Sequence, residues 1–328
     1  MERVLSLEFA RVTEAAAVAA ARLLGRGDKD AIDGAAVEAM RAMLQTVRVA
    51  GRVVIGEGEM DEAPMLYIGE ELGGGGEAVD IAVDPVEGTN LVAKGLPGAI
   101  ATMAVAPEGH LLHAPDMYMD KMACGPAGRG LLDLDRPVGE TLQLLAQRLG
   151  RRVDDLTVVI LDRPRHAERI AAVRAAGARL RLISDGDVTP AVAACLPESG
   201  VDLMLGIGGA PEGVLAAAAV RCLGGDFQGR LYPMEDAEAE RARSMGVDPS
   251  RRLGLEVLVR GDDVIFCATG ITDGDVVPGV RFLSAEVAQS TTLVTRSRTG
   301  TVRWVTARHS LPRKLEAVGS GAWRLPED

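Results

Sequence analysis

The residues with the clearest chemical potential follow a short apolar run, Ala78 to Val83, which is typical of a buried strand. Two carboxylates, a glycine and a hydroxyl come next, in the order Asp84, Pro85, Val86, Glu87, Gly88, Thr89. The two acids offer the hard oxygen ligands that a cation such as Mg²⁺ prefers. The glycine lets a phosphate approach the backbone, where a following helix presents free N–H groups, and the hydroxyl can orient a water. The same residues also suit an acidic turn that ends a strand.

A second acidic cluster lies upstream and follows another apolar run rich in β-branched residues. Its order is Gly56, Glu57, Gly58, Glu59, Met60, Asp61, Glu62. Carboxylates this close together repel one another unless water or cations neutralise them. The cluster is therefore either part of a metal site or a solvated acidic loop.

Asp33 is a third acid with an unusual setting. It lies on a helical pattern that begins at Lys29, for which Asp28 is a plausible N-cap. Lys29 and Asp33 are four residues apart and share a face with the apolar stripe of the helix. A carboxylate on such a stripe is costly to bury unless it is paired or bound to a metal.

The elements that must position these residues follow an α/β pattern throughout the chain. Helices are predicted over residues 7–24, 29–44, 140–149, 166–176, 189–196 and 212–222, with a further helix from Pro64. Strands are predicted over residues 52–55, 78–83, 99–105, 156–161, 179–183, 201–205 and 263–268, with a final antiparallel hairpin of 292–296 and 301–305. After a boundary near Gly150, strands and helices alternate, which predicts parallel strands with helices on both faces.

Charge and composition limit the classes of partner. The 328 residues carry a formal net charge of −11 and have a pI near 5.0. Because a phosphate backbone needs a basic face, no nucleic acid is expected. No uncharged apolar run reaches the roughly 18 residues of a membrane helix, and the N-terminus lacks a secretory pattern, so no membrane partner is expected.

The four cysteines are widely spaced and are interpreted as buried thiols of a reducing compartment, which favours the cytoplasm.

Together these motifs resemble the class II fructose-1,6-bisphosphatases, members of the lithium-sensitive, metal-dependent phosphomonoesterase superfamily. The resemblance rests on segments in order along nearly the whole chain: Gly27 to Asp33, Gly56 to Leu66, Asp84 to Thr89, Tyr118 to Lys121, Asp185 to Ala191 and Gly208 to Gly213. The Asp-Pro-x-Glu-Gly-Thr form looks most like the branch that acts on both fructose-1,6- and sedoheptulose-1,7-bisphosphate. Many members carry Asp where this chain has Glu87, and the longer side chain can still bind a metal.

The resemblance implies a layered αβαβα sandwich of the sugar-phosphatase type, with the active site between two α/β halves. These would be an N-terminal metal- and phosphate-binding domain, 1–150, and a C-terminal sugar-binding domain, 151–328. The implied reaction is hydrolysis of the 1-phosphate of fructose-1,6-bisphosphate, as used in gluconeogenesis and carbon fixation. It would use two or three Mg²⁺ or Mn²⁺ ions and form no covalent enzyme intermediate. A homodimer or homotetramer is the family expectation, and the Ala-rich first helix would suit packing either across subunits or within one.

Roles for particular residues also follow from the resemblance. The metal ligands would be Asp33, Glu57, Asp84, Glu87 and Glu212. Thr89, relayed through Asp33, would position the attacking water, and Lys29, Glu59 and Asp61 would be further catalytic groups. The substrate would contact Gly88, Thr89, Tyr118, Lys121, Arg163, Arg165, Asp185 and Asp187. Taken alone, the two arginines also suit a solvated loop, Tyr118 an edge strand, and Glu212 a helix N-terminus. None of the four histidines is assigned a role.

Other site types match only in part. Gly206, Gly208 and Gly209 lie between a strand and a helix, but Pro211 stands where a dinucleotide fingerprint needs glycine. Asp185 to Thr189 imitates the nucleophile motif of haloacid-dehalogenase-type phosphatases. The match to their later acidic motif, Gly261 to Asp263, comes before its strand, whereas a site at the carboxyl ends of strands needs it to come after. An inositol-monophosphatase-like enzyme would share the metal site without the arginine anchor. A catalytically silent sugar-phosphate-binding regulator would have no use for a water-positioning hydroxyl.

Overall fold

The computed structural model describes residues 1–58 and 65–318. In this part of the chain the helices are α1 (Leu5–Ala21), α2 (Lys29–Leu44), α3 (Thr89–Lys94), α4 (Val138–Leu149), α5 (Ala167–Ala176), α6 (Val188–Ala193), α7 (Ala210–Leu223), α8 (Asp236–Ser244), α9 (Leu255–Leu258) and α10 (Leu311–Val318). The strands are β1 (Val49–Ile55), β2 (Glu71–Leu72), β3 (Glu77–Glu87), β4 (Ile100–Pro107), β5 (Tyr118–Cys124), β6 (Thr157–Leu161), β7 (Arg179–Ile183), β8 (Leu203–Gly209), β9 (Asp226–Tyr232), β10 (Leu253–Gly254), β11 (Ile265–Gly270), β12 (Arg281–Ser284), β13 (Val287–Arg296) and β14 (Thr301–Ser310). Two mixed sheets with ten helices in the described residues are consistent with the predicted layered α/β sandwich.

These elements form two compact units. The first contains Met1–Gly109, Ile265–Arg296 and the described residues from Thr301 on, and the second contains His110–Val264 with Ser297–Gly300. The boundary predicted near Gly150 falls inside the second unit, between α4 and β6. Leu145 of α4 and Val158 of β6 pack in one apolar core, so a division at this point would expose that core to water.

The first unit is built on an eight-stranded sheet with the order β12-β13-β11-β4-β3-β1-β2, in which β14 pairs with β13. β1 and β3 are parallel, and the other neighbouring strands are antiparallel. The predicted final hairpin is confirmed as β13 and β14, each of which is 10 residues long. The predicted strands 52–55, 78–83 and 99–105 correspond to β1, β3 and β4.

α1 is buried on nearly every side within the first unit. It contacts α2 and strands β3, β4, β11 and β13, and Phe9, Val12 and Ala16 have no exposed surface. Small alanine side chains let the neighbouring elements approach the helix closely. The Ala-rich segment therefore packs within its own chain, which is one of the two uses that the sequence allows.

The second unit is built on a six-stranded sheet with the order β10-β9-β5-β8-β6-β7. β6 is parallel to both β7 and β8, which confirms the parallel arrangement predicted for strands 156–161, 179–183 and 201–205. The other pairs, β8 with β5, β5 with β9 and β9 with β10, are antiparallel. The sheet is therefore mixed, with its parallel part at one side.

Strands β5 and β9 are not predicted from the sequence. β5 pairs on both sides although Asp120 and Lys121 lie in its middle, and two adjacent charges break the apolar pattern of a central strand. β9 alternates half-buried and buried residues, but Gly229 interrupts it. In both strands the tertiary pairing overrides a weak local signal.

Residues 65–70 contain turns, whereas the sequence predicts a helix from Pro64, a residue that lies outside the described part of the chain. Leu66 has a φ of 55°, a left-handed conformation that no helix residue adopts. Its N–H donates to the carboxylate of Glu70, which also accepts a hydrogen bond from Arg41 Nε at 2.6 Å. These contacts hold a tight turn, after which β2 begins.

In the described residues, no helix combines the length and the apolar composition needed to span a bilayer.

His309 makes the stability of the first unit sensitive to acid. This residue of β14 is buried, with Nε2 2.7 Å from Oγ of Ser290 on β13. Burial, and secondarily the charge of Lys314, lowers the pKa of His309 from 6.5 to about 4. Between these pH values the unfolded chain binds a proton that the folded chain does not. The free energy of unfolding therefore falls as the pH drops from about 6.5 toward about 4.

We expect His309→Gln to remove on the order of 1–3 kcal/mol of this acid-dependent loss, measured by urea unfolding at about pH 7 and about pH 4.5. His113→Gln replaces an exposed histidine and should keep the loss of the parent chain. An undiminished loss in His309→Gln would contradict the prediction.

Candidate active site

Strand β3 runs through the acidic motif instead of ending before it. Its pairing with β4 shifts between Asp84, which lies opposite Thr102, and Glu87, which lies opposite Ile100. Three residue steps of β3 thus oppose two of β4, which is a β-bulge. Because alternate residues of β4 point to one face, the bulge also directs Asp84 and Glu87 to one face. Pro85 lies in the bulge, where a missing N–H is tolerated.

The two carboxylates of the bulge lie in a largely dry setting. Glu87 is only 4% exposed and Asp84 is half-buried. Asp84 Oδ1 accepts a hydrogen bond from the backbone N–H of Val86 at 3.0 Å, which orients its side chain. One oxygen of Asp84 lies within 4.8 Å of an oxygen of Glu87. Two negative charges at this separation are unfavourable in a low dielectric, and a cation would stabilise them.

The structure brings Thr89 and Asp33 together, although they are 56 residues apart in the sequence. Gly88, in the left-handed conformation with φ 94°, ends the strand and begins α3 at Thr89. Thr89 Oγ1 lies 2.9 Å from Asp33 Oδ1, to which it donates, and 3.2 Å from the carbonyl oxygen of Val86. The hydroxyl oxygen keeps its lone pairs for a further donor such as water.

α2 holds Asp33 in an environment that disfavours its charge. The helix begins as predicted, with the Asp28 side chain accepting from the Ala31 N–H at 3.0 Å. Burial raises the pKa of the Asp33 carboxyl and the charge of Asp30 adds to this, while the Thr89 hydrogen bond and Lys29 oppose it. Asp33 is therefore a carboxylate that a nearby cation would stabilise.

Glu57 follows the carboxyl end of β1, which is parallel to β3. It therefore lies at the edge of the first sheet where the acidic motif of β3 also lies. Its side chain is exposed, and its backbone N–H donates to the carbonyl oxygen of Leu66 at 3.0 Å. Glu59 and Asp61, two further predicted catalytic residues, lie outside the described residues.

In the second unit, the predicted substrate residues gather at one edge of the sheet. β6, β7 and β8 are parallel, so their carboxyl ends share this edge. The predicted residues that follow these ends are Arg163, Arg165, Asp185, Asp187 and Glu212. The first residue of antiparallel β5, Tyr118, lies opposite Gly209 and so joins them.

Two arginines and a tyrosine form the basic part of this edge. The Arg165 guanidinium stacks over the Tyr118 ring at 4.7 Å from its centroid. Arg165 also donates from Nε and Nη2 to the carbonyl oxygen of Ile207, at 3.1 and 2.8 Å. Arg163 donates from Nη2 to the carbonyl oxygen of Ser184 at 2.7 Å. These contacts fix two cations at an accessible edge, an arrangement that suits an anionic ligand.

Lys121, which the resemblance places among the substrate contacts, has its charged group enclosed by protein. Its side chain has no exposed surface, and its Nζ lies 2.6 Å from Asp187 Oδ2. Nζ also donates to the carbonyl oxygen of Gly209 at 2.9 Å. A group buried in this way contacts other protein atoms, and Asp187, also a predicted substrate ligand, is its partner.

Glu212 lies in the first turn of α7. Its Oε2 atom is buried and has no hydrogen-bond partner within residues 1–58 and 65–318. Burial raises the pKa of Glu212; the charge of Lys121 opposes this, and those of Asp187 and Asp116 add to it. A buried carboxylate oxygen without a donor is a plain candidate for a cation ligand.

His166, to which the sequence assigns no role, joins two strands of this edge. Its Nδ1 lies 2.7 Å from the carbonyl oxygen of Leu161, and its Nε2 accepts from the Ile207 N–H at 2.7 Å. This places the proton of the neutral ring on Nδ1. Burial, with the charges of Arg165 and Arg169, lowers the pKa of His166, so the neutral form is favoured. A lone histidine between arginines carries no sequence signal for this role.

The fold is mixed α/β, and its donor sets are of the types that suit divalent cations and phosphate. Carboxylates and a hydroxyl lie at the strand ends of one unit, and fixed arginines at those of the other. The family model described as bacterial fructose-1,6-bisphosphatase, glpX-encoded, matches residues 3–309. The chain belongs to this family.

Relatives of nearly the same length agree with the family match. The Escherichia coli K12 protein named fructose-1,6-bisphosphatase 1 class 2 is 47% identical over 328 residues, which cover 96% of this chain and 97% of the relative. The Haemophilus influenzae fructose-1,6-bisphosphatase class 2 is 46% identical over 325 residues, with 95% and 97% covered. The resemblance inferred from the motifs is confirmed.

We expect His166→Ala to lower the free energy of unfolding by about 2–4 kcal/mol, because it leaves a buried N–H and a buried carbonyl without partners. His166→Gln can keep one of the two bonds and should lose less. The measurement is urea unfolding at neutral pH, with the exposed-site variant His113→Ala as the control. A His166→Ala variant as stable as the parent chain would overturn the bridging role.

Proposed function

We propose that this chain hydrolyses the 1-phosphate of fructose-1,6-bisphosphate and releases fructose-6-phosphate and inorganic phosphate. The observation that carries the proposal is the family match over residues 3–309. The hydrogen bond between Thr89 and Asp33 adds support, because it presents a hydroxyl oxygen beside an acidic cluster.

A divalent cation, Mg²⁺ or Mn²⁺, fits the residues present. The bulge directs two hard oxygen donors to one face, and Glu212 has a buried oxygen without a donor in the described residues. The proposed ligands, for two or three ions, are Asp33, Glu57, Asp84, Glu87 and Glu212. When bound, such cations polarise the phosphoryl group and stabilise charge on the oxygen of the attacking water and on the leaving oxygen of the sugar.

The residues of the first unit would position the water. The Thr89 hydroxyl donates a hydrogen bond to Asp33. Oγ1 of Thr89 can therefore accept a hydrogen bond from the attacking water and fix that water for in-line attack. The backbone after Gly88 would approach the phosphate, since Gly88 carries no side chain. Lys29, Glu59 and Asp61 stay proposed as further catalytic groups. No covalent intermediate is proposed.

The residues of the second unit would hold the rest of the substrate. Arg165, Arg163 and Tyr118 would bind the 6-phosphate, and Asp185 and Asp187 would accept hydrogen bonds from sugar hydroxyls. Binding energy from this distant phosphate would help to align the reacting one. This division of roles between the two units is part of the proposal.

Three finer points belong to the same proposal. Sedoheptulose-1,7-bisphosphate is proposed as a second substrate, on the basis of the Asp84-to-Thr89 motif. A homodimer or homotetramer is proposed from the family resemblance. Cytoplasmic location is proposed because all four cysteines are buried and none forms a disulfide in the described residues.

The test of the proposed function is phosphate release by the purified chain with Mg²⁺ or Mn²⁺, with EDTA controls. The substrates are fructose-1,6-bisphosphate, sedoheptulose-1,7-bisphosphate and inositol-1-phosphate. Metal-dependent release from the fructose bisphosphate is expected, and the sedoheptulose rate measures the breadth. Release from inositol-1-phosphate alone, or from none of the three, would refute the assignment.

We expect Thr89→Ala to lower kcat by about 10²- to 10⁴-fold with little change in KM, because it removes the group that orients the water. Thr89→Ser keeps the hydroxyl and should retain most of the turnover. Steady-state phosphate release measures both constants. Near-normal turnover in Thr89→Ala would remove Thr89 from the mechanism.

Arg165→Ala should raise KM for fructose-1,6-bisphosphate by about 10- to 100-fold, the value of a charged hydrogen bond to phosphate. Its effect on kcat should be smaller. Arg174→Ala removes an exposed arginine of α5 and should leave both constants unchanged. If Arg165→Ala also left KM unchanged, the anchor would have to be sought elsewhere.

A further inference from the structure

Lys121 is a cation enclosed by the protein itself. The whole residue is 0% exposed, and an ammonium group is costly to bury unless it is paired and hydrogen-bonded. Asp187 Oδ2 at 2.6 Å supplies the pair. The carbonyl oxygen of Gly209 at 2.9 Å accepts one of its hydrogen bonds. These two partners lie at the start of α6 and at the start of α7, which Lys121 therefore ties together.

Three glycines give this cluster its space. A Cβ on Gly208 would lie 1.9 Å from Asp187 Oδ2 and 3.0 Å from Lys121 Nζ. A Cβ on Gly209 would lie 1.9 Å from Glu212 Oε2, and one on Gly213 would lie 3.2 Å from Lys121 Cδ. The glycines at this strand-to-helix junction therefore make room for charged side chains of the protein.

The charges around Glu212 make Lys121 important for that residue. Asp187 and Asp116 act on Glu212 with like charge, and Lys121 acts on it with opposite charge. Lys121 also holds the carbonyl of Gly209, the residue that precedes α7, and Glu212 lies in the first turn of this helix. Both the direction of the helix start and the local charge balance thus depend on one ammonium group.

We propose that Lys121 is a positioning residue, which holds Asp187 and the Gly209 backbone so that Glu212 is oriented to bind a divalent cation. The inference rests on the proposed function for the role of Glu212. It replaces the role of phosphate anchor that the sequence suggests for Lys121. A positioning group of this kind typically changes metal affinity by 10- to 100-fold when it is removed.

The test compares Lys121→Met, which keeps most of the length of the side chain and removes its charge, with the parent chain. Mn²⁺ binding is measured without substrate by electron paramagnetic resonance, and kcat and KM are measured at saturating Mn²⁺. We expect Mn²⁺ affinity to fall about 10- to 100-fold, with a lower kcat and a nearly unchanged KM. Lys121→Arg keeps the charge and should recover part of the affinity.

Arg169→Met is the matched control. Arg169 forms a two-bond ion pair with Asp120, the neighbour of Lys121 on β5, at 2.6 Å for each bond. This variant also removes a cation that is paired with an aspartate of β5 and should lose stability while keeping its Mn²⁺ affinity. An equal loss of affinity in Arg169→Met would mean a general structural effect and would overturn the proposal.

Other outcomes also decide between the possible roles. Unchanged Mn²⁺ affinity with a raised KM in Lys121→Met would restore the phosphate-anchor role and overturn positioning, as would a parent chain that binds no Mn²⁺. If Lys121→Met does not fold, the double variant Lys121→Met/Asp187→Asn removes both charges of the pair. We expect it to fold and still bind Mn²⁺ weakly, because the Gly209 carbonyl is no longer held; parent-like affinity would overturn the proposal.

The Mn²⁺ measurement needs no substrate, so it remains decisive even if the parent chain releases no phosphate from fructose-1,6-bisphosphate. In that case the proposed reaction fails, while a loss of Mn²⁺ affinity in Lys121→Met would still support the positioning role.

Discussion

Repulsion between carboxylates at the strand ends is the constraint on which the rest of the structure depends. In the first unit a bulge directs Asp84 and Glu87 to one face, and Asp33 is held by the Thr89 hydroxyl. In the second unit a buried lysine offsets the charge of Asp187. Such groupings cost free energy unless cations or hydrogen bonds compensate them. Stability and the proposed metal chemistry therefore impose opposite demands on the same side chains, as is common at functional sites.

Much of the fold follows from local pattern. α2 begins and ends where its cap and apolar stripe predict, at Lys29 and Leu44, and β7 matches the predicted strand 179–183. The misses have a tertiary origin. β5 is a central strand only because its charges have partners in the folded chain, and the turn at Leu66 depends on Glu70, which pairs with Arg41 from α2. The members of the ion pairs, such as Arg41 with Glu70 and Lys121 with Asp187, are too far apart in the sequence for a local pattern to reveal them.

The candidate site is predictable in its residue types and less so in its geometry. The sequence suggests Asp33 and Thr89 as partners, but only the folded chain gives their 2.9 Å hydrogen bond. The bulge cannot be seen in sequence, since a regular strand would point Asp84 and Glu87 to opposite faces. Burial is the other hidden quantity. Lys121 suits a phosphate ligand by type, but its sequence context does not reveal that the side chain is enclosed. His166 has no sequence signal, because its role depends on partners for both ring nitrogens.

The junction of β8 and α7 shows why glycine motifs mislead. A dinucleotide site and this junction both need glycine between a strand and a helix, because both require room there. The difference lies in what fills the space. At this junction it is filled by Asp187 and Glu212, whose carboxylate oxygens would meet a Cβ on Gly208 or Gly209. Carboxylates in this place would repel a phosphate and attract a cation. The start of α7 is thus suited to a metal ligand, and the proposed function assigns the binding of phosphate to Arg163, Arg165 and the backbone at Gly88.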